Sequence, residues 1–324
     1  MSAYWEKRKV LVTGGGGFIG SHLCELLVEA GAEVTSGDLG RGYIDESPLK
    51  DKITFLKINY FKDLECLEMI KGFDTVMHLA ARVGGINYNM KHKADMYIDN
   101  TLIGCNVAKA IIENGIKNAL MTSSACIYPH DAKTPINEAD GLRGIPEETN
   151  EGYGWAKRGL EITGKMMKEQ YGIHVAIVRP YNAYGPRDKF DIAQAHVIPA
   201  LINKVFHATD GKIEVWGNGE QTRAFVYAKD IARGMMLATE KYKEADPVNI
   251  GSNEEVSIKD LVHIIIEASG LKVTPIFDSS KPTGHKKRYA DMTKAKEMLG
   301  FTPEYSMKTG IEKTIEYYKA KYLK

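Results

Sequence analysis

The sequence predicts an α/β protein of Rossmann type: a doubly wound parallel sheet followed by a smaller C-terminal α/β unit. Three observations carry this prediction. Short apolar runs alternate with helical stretches through the first 180 residues, the pattern of a parallel sheet covered by helices on both faces. The first run ends in a glycine cluster and the second in an acidic residue. Beyond about residue 180 the alternation becomes irregular, with proline and glycine in "YGPRD", "WGNGEQ" and "KPTGHKK".

In chain order, "KVLVTG" (9–14) is a short β-rich run, and "SHLCELLVEAG" (21–31) places Leu23, Leu26, Leu27 and Ala30 at helical spacing before a closing glycine. Further strands are expected at "EVTSGDL", "ITFLKIN", "TVMHLAA", "NALMTSSA" and "HVAIVRP", with helices between most of them. The expected division is a dinucleotide-binding unit at 1–180, to which a segment around 220–250 returns, and a second unit at 181–324.

With 43 basic and 42 acidic residues, the net charge of +1 gives no overall pull toward nucleic acid or an anionic membrane. No apolar run reaches the roughly 18 to 20 residues that span a bilayer, and the polar start "MSAYWEKRK" does not read as a signal peptide. A cytoplasmic location is the expectation. Cys24, Cys66, Cys105 and Cys126 lack metal-ligand spacing, so reduced thiols are expected, with neither a metal site nor a disulfide framework.

"TGGGGFIG" parses as Gly14-x-x-Gly17-x-x-Gly20 between the first strand and first helix. Glycines there let backbone approach a pyrophosphate, whose charge suits the free N–H groups and dipole of a helix start. Asp38, 18 positions beyond Gly20, closes the second strand, where a carboxylate bonds ribose hydroxyls and repels a 2′-phosphate. That favours NAD over NADP, although the nearby Arg41 suits a phosphate. In "NEGYGWAKRGLE", Tyr153-x-x-x-Lys157 puts phenol and ammonium on one helical face. A cation there is expected to lower the tyrosine pKa and equip it for proton transfer.

Together these motifs resemble the extended short-chain dehydrogenase/reductase family, which holds nucleotide-sugar epimerases, dehydratases and reductases. The resemblance runs from "VTGGGGFIG" through "HLAA", "SSACIYP", "YGWAK" and "RPYNAYGPRD" to "ADMTKAKEMLGF". It implies a redox triad of Ser124, Tyr153 and Lys157. The implied cofactor contacts are Gly14, Gly17, Phe18, Ile19, Gly20, Asp38, Arg41 and Ala80, together with Tyr153 and Lys157, and Asn100 is implied near the site. It also makes 181–324 the main nucleotide-sugar-binding unit, with Asn182, Arg223, Lys287 and Arg288 as substrate contacts. A homodimer through a four-helix bundle, built from residues 95–115 and the Tyr153 helix, is a further implication.

Dehydratases of this family carry an acidic pair after the catalytic strand, where this chain has "SACIYP". Cys126 there, and His196 in "FDIAQAHVIPALI", resemble the GDP-L-fucose synthase and GDP-mannose 3,5-epimerase branch, which implies a GDP-sugar substrate. A 4-keto group acidifies the protons on C3 and C5, and inversion needs one group to remove a proton and another to deliver one. Cys126 with a lowered pKa and His196 near neutrality suit that pair. Three readings stay open: such an epimerase, with or without net reduction at C4; a plain UDP-glucose 4-epimerase-like enzyme that uses neither residue; and a non-catalytic dinucleotide-binding module. Free cysteine is also often just a small buried hydrophobe.

Overall fold

The computed structural model describes residues 3–192, 195–281 and 287–323, with only the backbone of 86 and 87; most of "KPTGHKK" lies outside them. The first six strands are β1 (Lys9–Thr13), β2 (Glu33–Asp38), β3 (Ile53–Lys57), β4 (Thr75–His78), β5 (Asn118–Thr122) and β6 (His174–Pro180). Between them lie α1 (Phe18–Glu29), α2 (Asp63–Met69), α3 (Ile86–Lys91), α4 (Lys93–Glu113) and α5 (Glu151–Tyr171). Each apolar run read from the sequence up to Pro180 forms a strand. The later elements are β7 (Ala183–Tyr184), α6 (Val197–Phe206), β8 (Lys212–Trp216), β9 (Thr222–Ala224), β10 (Val226–Tyr227), α7 (Ala228–Lys241) and β11 (Val248–Ile250). Last come β12 (Glu255–Ser257), α8 (Ile258–Ser269), β13 (Thr274–Asp278), β14 (Lys287–Arg288) and α9 (Met307–Tyr322).

Seven strands form one parallel sheet in the order β11-β6-β5-β4-β1-β2-β3. Successive side chains of a strand point to opposite faces, and both faces of the central strands are buried. Val10 and Val12 join the core beneath α1 and α7, whereas Leu11 joins the one beneath α2, α4 and α5. Burial on both sides is why these strands read as nearly unbroken apolar runs. A third core, including Ile198, Ile202, Val215, Leu261, Ile265 and Ile311, gathers α6, α8, α9 and β8.

The chain leaves the large sheet after β6 and returns to it through α7, which packs on α1, and β11, which pairs with β6. Strand order reverses between β1 and β4, and the crevice beyond the carboxyl ends of strands at such a point is where an open α/β sheet takes its ligand. Among the described residues no helix is long and apolar enough to cross a membrane, and no cluster of His, Cys, Asp or Glu could hold a metal ion.

Candidate active site

At the end of β1 the chain turns through Gly14, whose φ of +70° lies in the left-handed region. A side chain on Gly20 would put Cβ 2.1 Å from the Gly14 carbonyl oxygen, and one on Gly15 would strike Ser36 Oγ at 2.5 Å. Gly17 caps α1 without a side-chain bond, and no acidic residue occupies the first turn. The helix start, Phe18, Ile19 and Gly20, therefore offers backbone N–H groups to an anion.

Asp38 ends β2 beside this turn. Its Oδ2 accepts from the Gly16 N–H at 3.2 Å and its Oδ1 from the Leu39 N–H at 2.7 Å, while burial raises its pKa. Arg41, which sequence reading set against Asp38, is engaged by Asp45 at 2.5 Å. Ala80 is held from below, for Thr13 Oγ1 accepts the N–H groups of Leu79 and Ala80, each at 3.1 Å. With two donors on that oxygen, the Thr13 hydroxyl is left to donate to His78 Nδ1, 2.8 Å away. Burial pushes the His78 pKa down to about 3, with the Lys157 charge adding to it. The ring is neutral, as the bond requires. A glycine cradle, a free helix start and a half-buried carboxylate fit a dinucleotide.

Next to it, β5 ends at Thr122, and Ser124 starts a 3₁₀ turn by accepting the Cys126 N–H at 3.2 Å. The α5 helix lies tightly on that turn: a Cβ on Gly154 would come within 2.7 Å of the Cys126 carbonyl oxygen. Tyr153 and Lys157 follow on one face, with Nζ 5.5 Å from the phenol ring centroid and donating to Thr122 O at 2.8 Å. One turn on, buried Glu161 takes a two-pronged bond from Arg179 of β6, 2.8 Å on each side. Burying such a pair contributes little net stability, but it sets how α5 sits on the sheet.

The protonation states run opposite to the sequence expectation. Burial, with Cys126 second, pushes the Tyr153 phenol up rather than down, and burial lowers Lys157 to about 8. Burial also pushes the Cys126 thiol up, outweighing Ser124 and Arg288, which favour the thiolate. Removing solvent from a site disfavours whichever form is charged, and here that exceeds the pull of a nearby cation.

His196 stands apart, at the N-cap of α6. Its side chain is 67% exposed and its Nδ1 lies 3.6 Å from Oδ1 of buried Asp188. That carboxylate raises its pKa against the effect of burial. The structure thus brings Ser124, Cys126, Tyr153 and Lys157 into one cluster, while His196 touches Asp188 rather than any of them.

The expected substrate cations also have partners. Arg288 lies 2.8 Å from Glu147 and Lys287 lies 2.9 Å from Glu255. Arg223 donates to Thr222 O, and burial together with Arg288 lowers its pKa. Asn182 gives its amide to Ala224 O at 2.9 Å. Asn100 is spent internally, accepting from the Arg82 N–H and donating to Arg82 O and Met96 O. Thr13, His78, Asp188 and Glu147 belong to this neighbourhood but were not singled out from the sequence. "VTGGGGFIG", "TVMHLAA" and "YGPRD" held the signal for the first three of them, and Glu147 had none.

A model of the NAD dependent epimerase/dehydratase family matches residues 10–251. The chain is 32% identical over 315 residues to GDP-L-fucose synthase of Sinorhizobium fredii, covering 96% of this chain and 95% of that protein. It is 31% identical over 324 residues to GDP-mannose 3,5-epimerase of Arabidopsis thaliana, covering 98% and 84%. Its fold is similar to that of UDP-glucose 4-epimerase from Thermotoga maritima, with a TM-score of 0.84, 27% identity, and coverage of 96% of this chain and 98% of that one.

Proposed function

The chain belongs to the NAD dependent epimerase/dehydratase family, and on that premise we propose that it is a nucleotide-sugar epimerase working through a 4-keto sugar, with proton exchange at C3 or C5 by Cys126 and His196. One observation carries the reading: α5 lies so tightly on the Cys126 turn that a Cβ on Gly154, the residue after Tyr153, would come within 2.7 Å of the Cys126 carbonyl oxygen. A thiol in that position faces the same substrate ring as the phenol.

Gly14, Gly17, Phe18, Ile19, Gly20, Asp38 and Ala80 would hold the dinucleotide, with Lys157 at its nicotinamide ribose. When bound, it supplies reversible hydride transfer at C4. Tyr153 exchanges a proton with the C4 oxygen, to which the Ser124 hydroxyl hydrogen-bonds. Burial keeps Cys126 as the thiol in the resting protein, the form that delivers a proton, which leaves removal to the His196 imidazole. Arg223 and Arg288 suit the substrate's diphosphate, Arg288 by exchanging Glu147 for it, and the GDP-sugar relatives favour a GDP-sugar.

Incubation with GDP-mannose in D₂O is expected to place deuterium at C3 or C5. Its absence with GDP-, UDP-, dTDP- and CDP-sugars alike would overturn the reading. The second reading, a 4-epimerase, is favoured by the fold similarity to the Thermotoga enzyme and needs neither Cys126 nor His196. NAD is the preferred cofactor on this reading, since Asp38 faces the cradle and Arg41 is taken by Asp45; tighter NADPH binding in calorimetry would refute that. A homodimer is supported by Tyr97, Ile98 and Leu102 of α4 and Trp155, Ile162 and Met166 of α5, all exposed. Tyr97, Trp155 and Ile162 line a groove of about 530 Å³, and sedimentation of an Ile162→Lys variant as a monomer is the expected outcome.

A further inference from the structure

Asp188 is almost fully buried, at 3% exposure, yet its Oδ2 has no hydrogen-bond partner among the described residues. A buried carboxylate left half satisfied is costly to keep, so the fold's retention of Asp188 calls for an explanation. Oδ1 accepts the Lys189 N–H at 2.8 Å and lies 3.6 Å from His196 Nδ1.

The turn that carries it is tied down on both sides. Arg187, at a φ of +70°, reaches Glu25 at 2.6 Å and Ser21 Oγ at 3.2 Å, both on the helix of the glycine cradle. His22 of the same helix bonds Pro186 O at 3.1 Å. Beyond Asp188, Phe190 packs on Tyr318 and Tyr322 of α9, with centroids 5.0 and 5.5 Å away, and its carbonyl accepts Asn203 Nδ2 of α6 at 2.9 Å. The carboxylate is therefore fixed by a strained, doubly anchored turn, while the imidazole it meets is exposed.

We infer that Asp188 is the positioning residue of His196: it holds the Nδ1 side of the ring, and so turns Nε2 outward as the proton-exchanging atom. This deepens the proposed function and rests on it for the role of His196. Two charged groups act on the ring, Asp188 favouring its protonated form and Lys189 opposing it. Tyr43, beside the cradle, lies in electrostatic range of Asp188. A carboxylate behind an imidazole fixes its tautomer and strengthens it as a base.

The test follows His196 by NMR through a pH titration of the full-length protein, with His196→Asn identifying its signals. Wild type is expected to titrate above the ordinary value of about 6.5, and Asp188→Asn about one unit lower. In GDP-mannose exchange with D₂O, Asp188→Asn is expected to move the acid limb of the pH profile down by the same interval. It is also expected to slow exchange by roughly ten- to one hundred-fold, less than general acid/base groups can contribute. A wild-type value at or below 6.5 overturns the inference without any variant. So does an unshifted titration in a folded Asp188→Asn, or a shifted titration with unchanged exchange while His196→Asn abolishes it. If His196→Asn also leaves exchange untouched, the proposed role of His196 fails while the Asp188–His196 coupling stands.

Discussion

Cys126 sits at the carboxyl end of β5 among groups whose ionisation burial has shifted, whereas His196 stands at an exposed helix start and answers chiefly to the Asp188 carboxylate. The first region belongs to the rigid sheet, and desolvation sets its chemistry. The second is reached by side chains from α1, α6 and α9, and an ion pair sets its chemistry. The contrast teaches that, on the proposed mechanism, the acid and the base of one exchange reaction are each tuned by a different force.

Changes in the dry region should produce the largest effects. Tyr153→Phe is expected to slow hydride transfer by about 100- to 10,000-fold while leaving dinucleotide binding in place. Stopped-flow absorbance of the nicotinamide measures the first and calorimetry the second; turnover within about ten-fold of the parent would remove Tyr153 from the reaction.

Next comes the thiol. Cys126→Ala should suppress deuterium incorporation at C3 and C5 and retain hydride transfer at C4, because Ser124, Tyr153 and Lys157 are untouched. If exchange persists, Cys126 has only a packing role, and the comparison with His196 collapses into a 4-epimerase with one proton-handling site.

A third change bears on the cradle that both regions lean on. In Gly20→Ala the new Cβ meets the Gly14 carbonyl oxygen at 2.1 Å, a backbone atom that cannot swing aside. Loss of dinucleotide binding by calorimetry is expected, along with about 1–3 kcal/mol of stability in urea unfolding. A variant that binds as tightly as the parent would show that the turn relaxes freely.

The smallest effect concerns the cost of dryness itself. Burial lowers Lys157 to about 8 in the fold from an ordinary 10.5, so between those values the unfolded chain binds more protons than the folded one. Stability of the protein without dinucleotide should rise with pH through that window, and Lys157→Met should flatten the rise. Urea midpoints at pH 7.5, 9 and 10 decide it: a parental rise that persists in the variant would assign it to another group.

The central strands were legible because strands buried on both faces read as nearly unbroken apolar runs, as the middles of "KVLVT" and "HVAIVRP" do. The cradle was legible because sterics at Gly14 and Gly20 admit no other residue. Short strands such as β9 and β14 were not, since two or three residues carry no period. Nor was Glu147 beside Arg288, for their bond joins positions 141 residues apart. Asp188 was visible only as a letter in "YGPRD", its burial invisible until the turn closed over it.

Sequence by itself determined the alternation of strands and helices as far as β6, the glycine turn, and the kinds of group available for proton transfer. Each of these depends on local sterics or on the spacing of apolar residues along the chain. The tertiary structure alone decided which form those groups take: a thiol and phenol held protonated, a lysine pushed down toward neutrality, an imidazole backed by a buried carboxylate. Ionisation depends on solvent and on charge at distances measured through space, and the chain does not set those distances until it has folded.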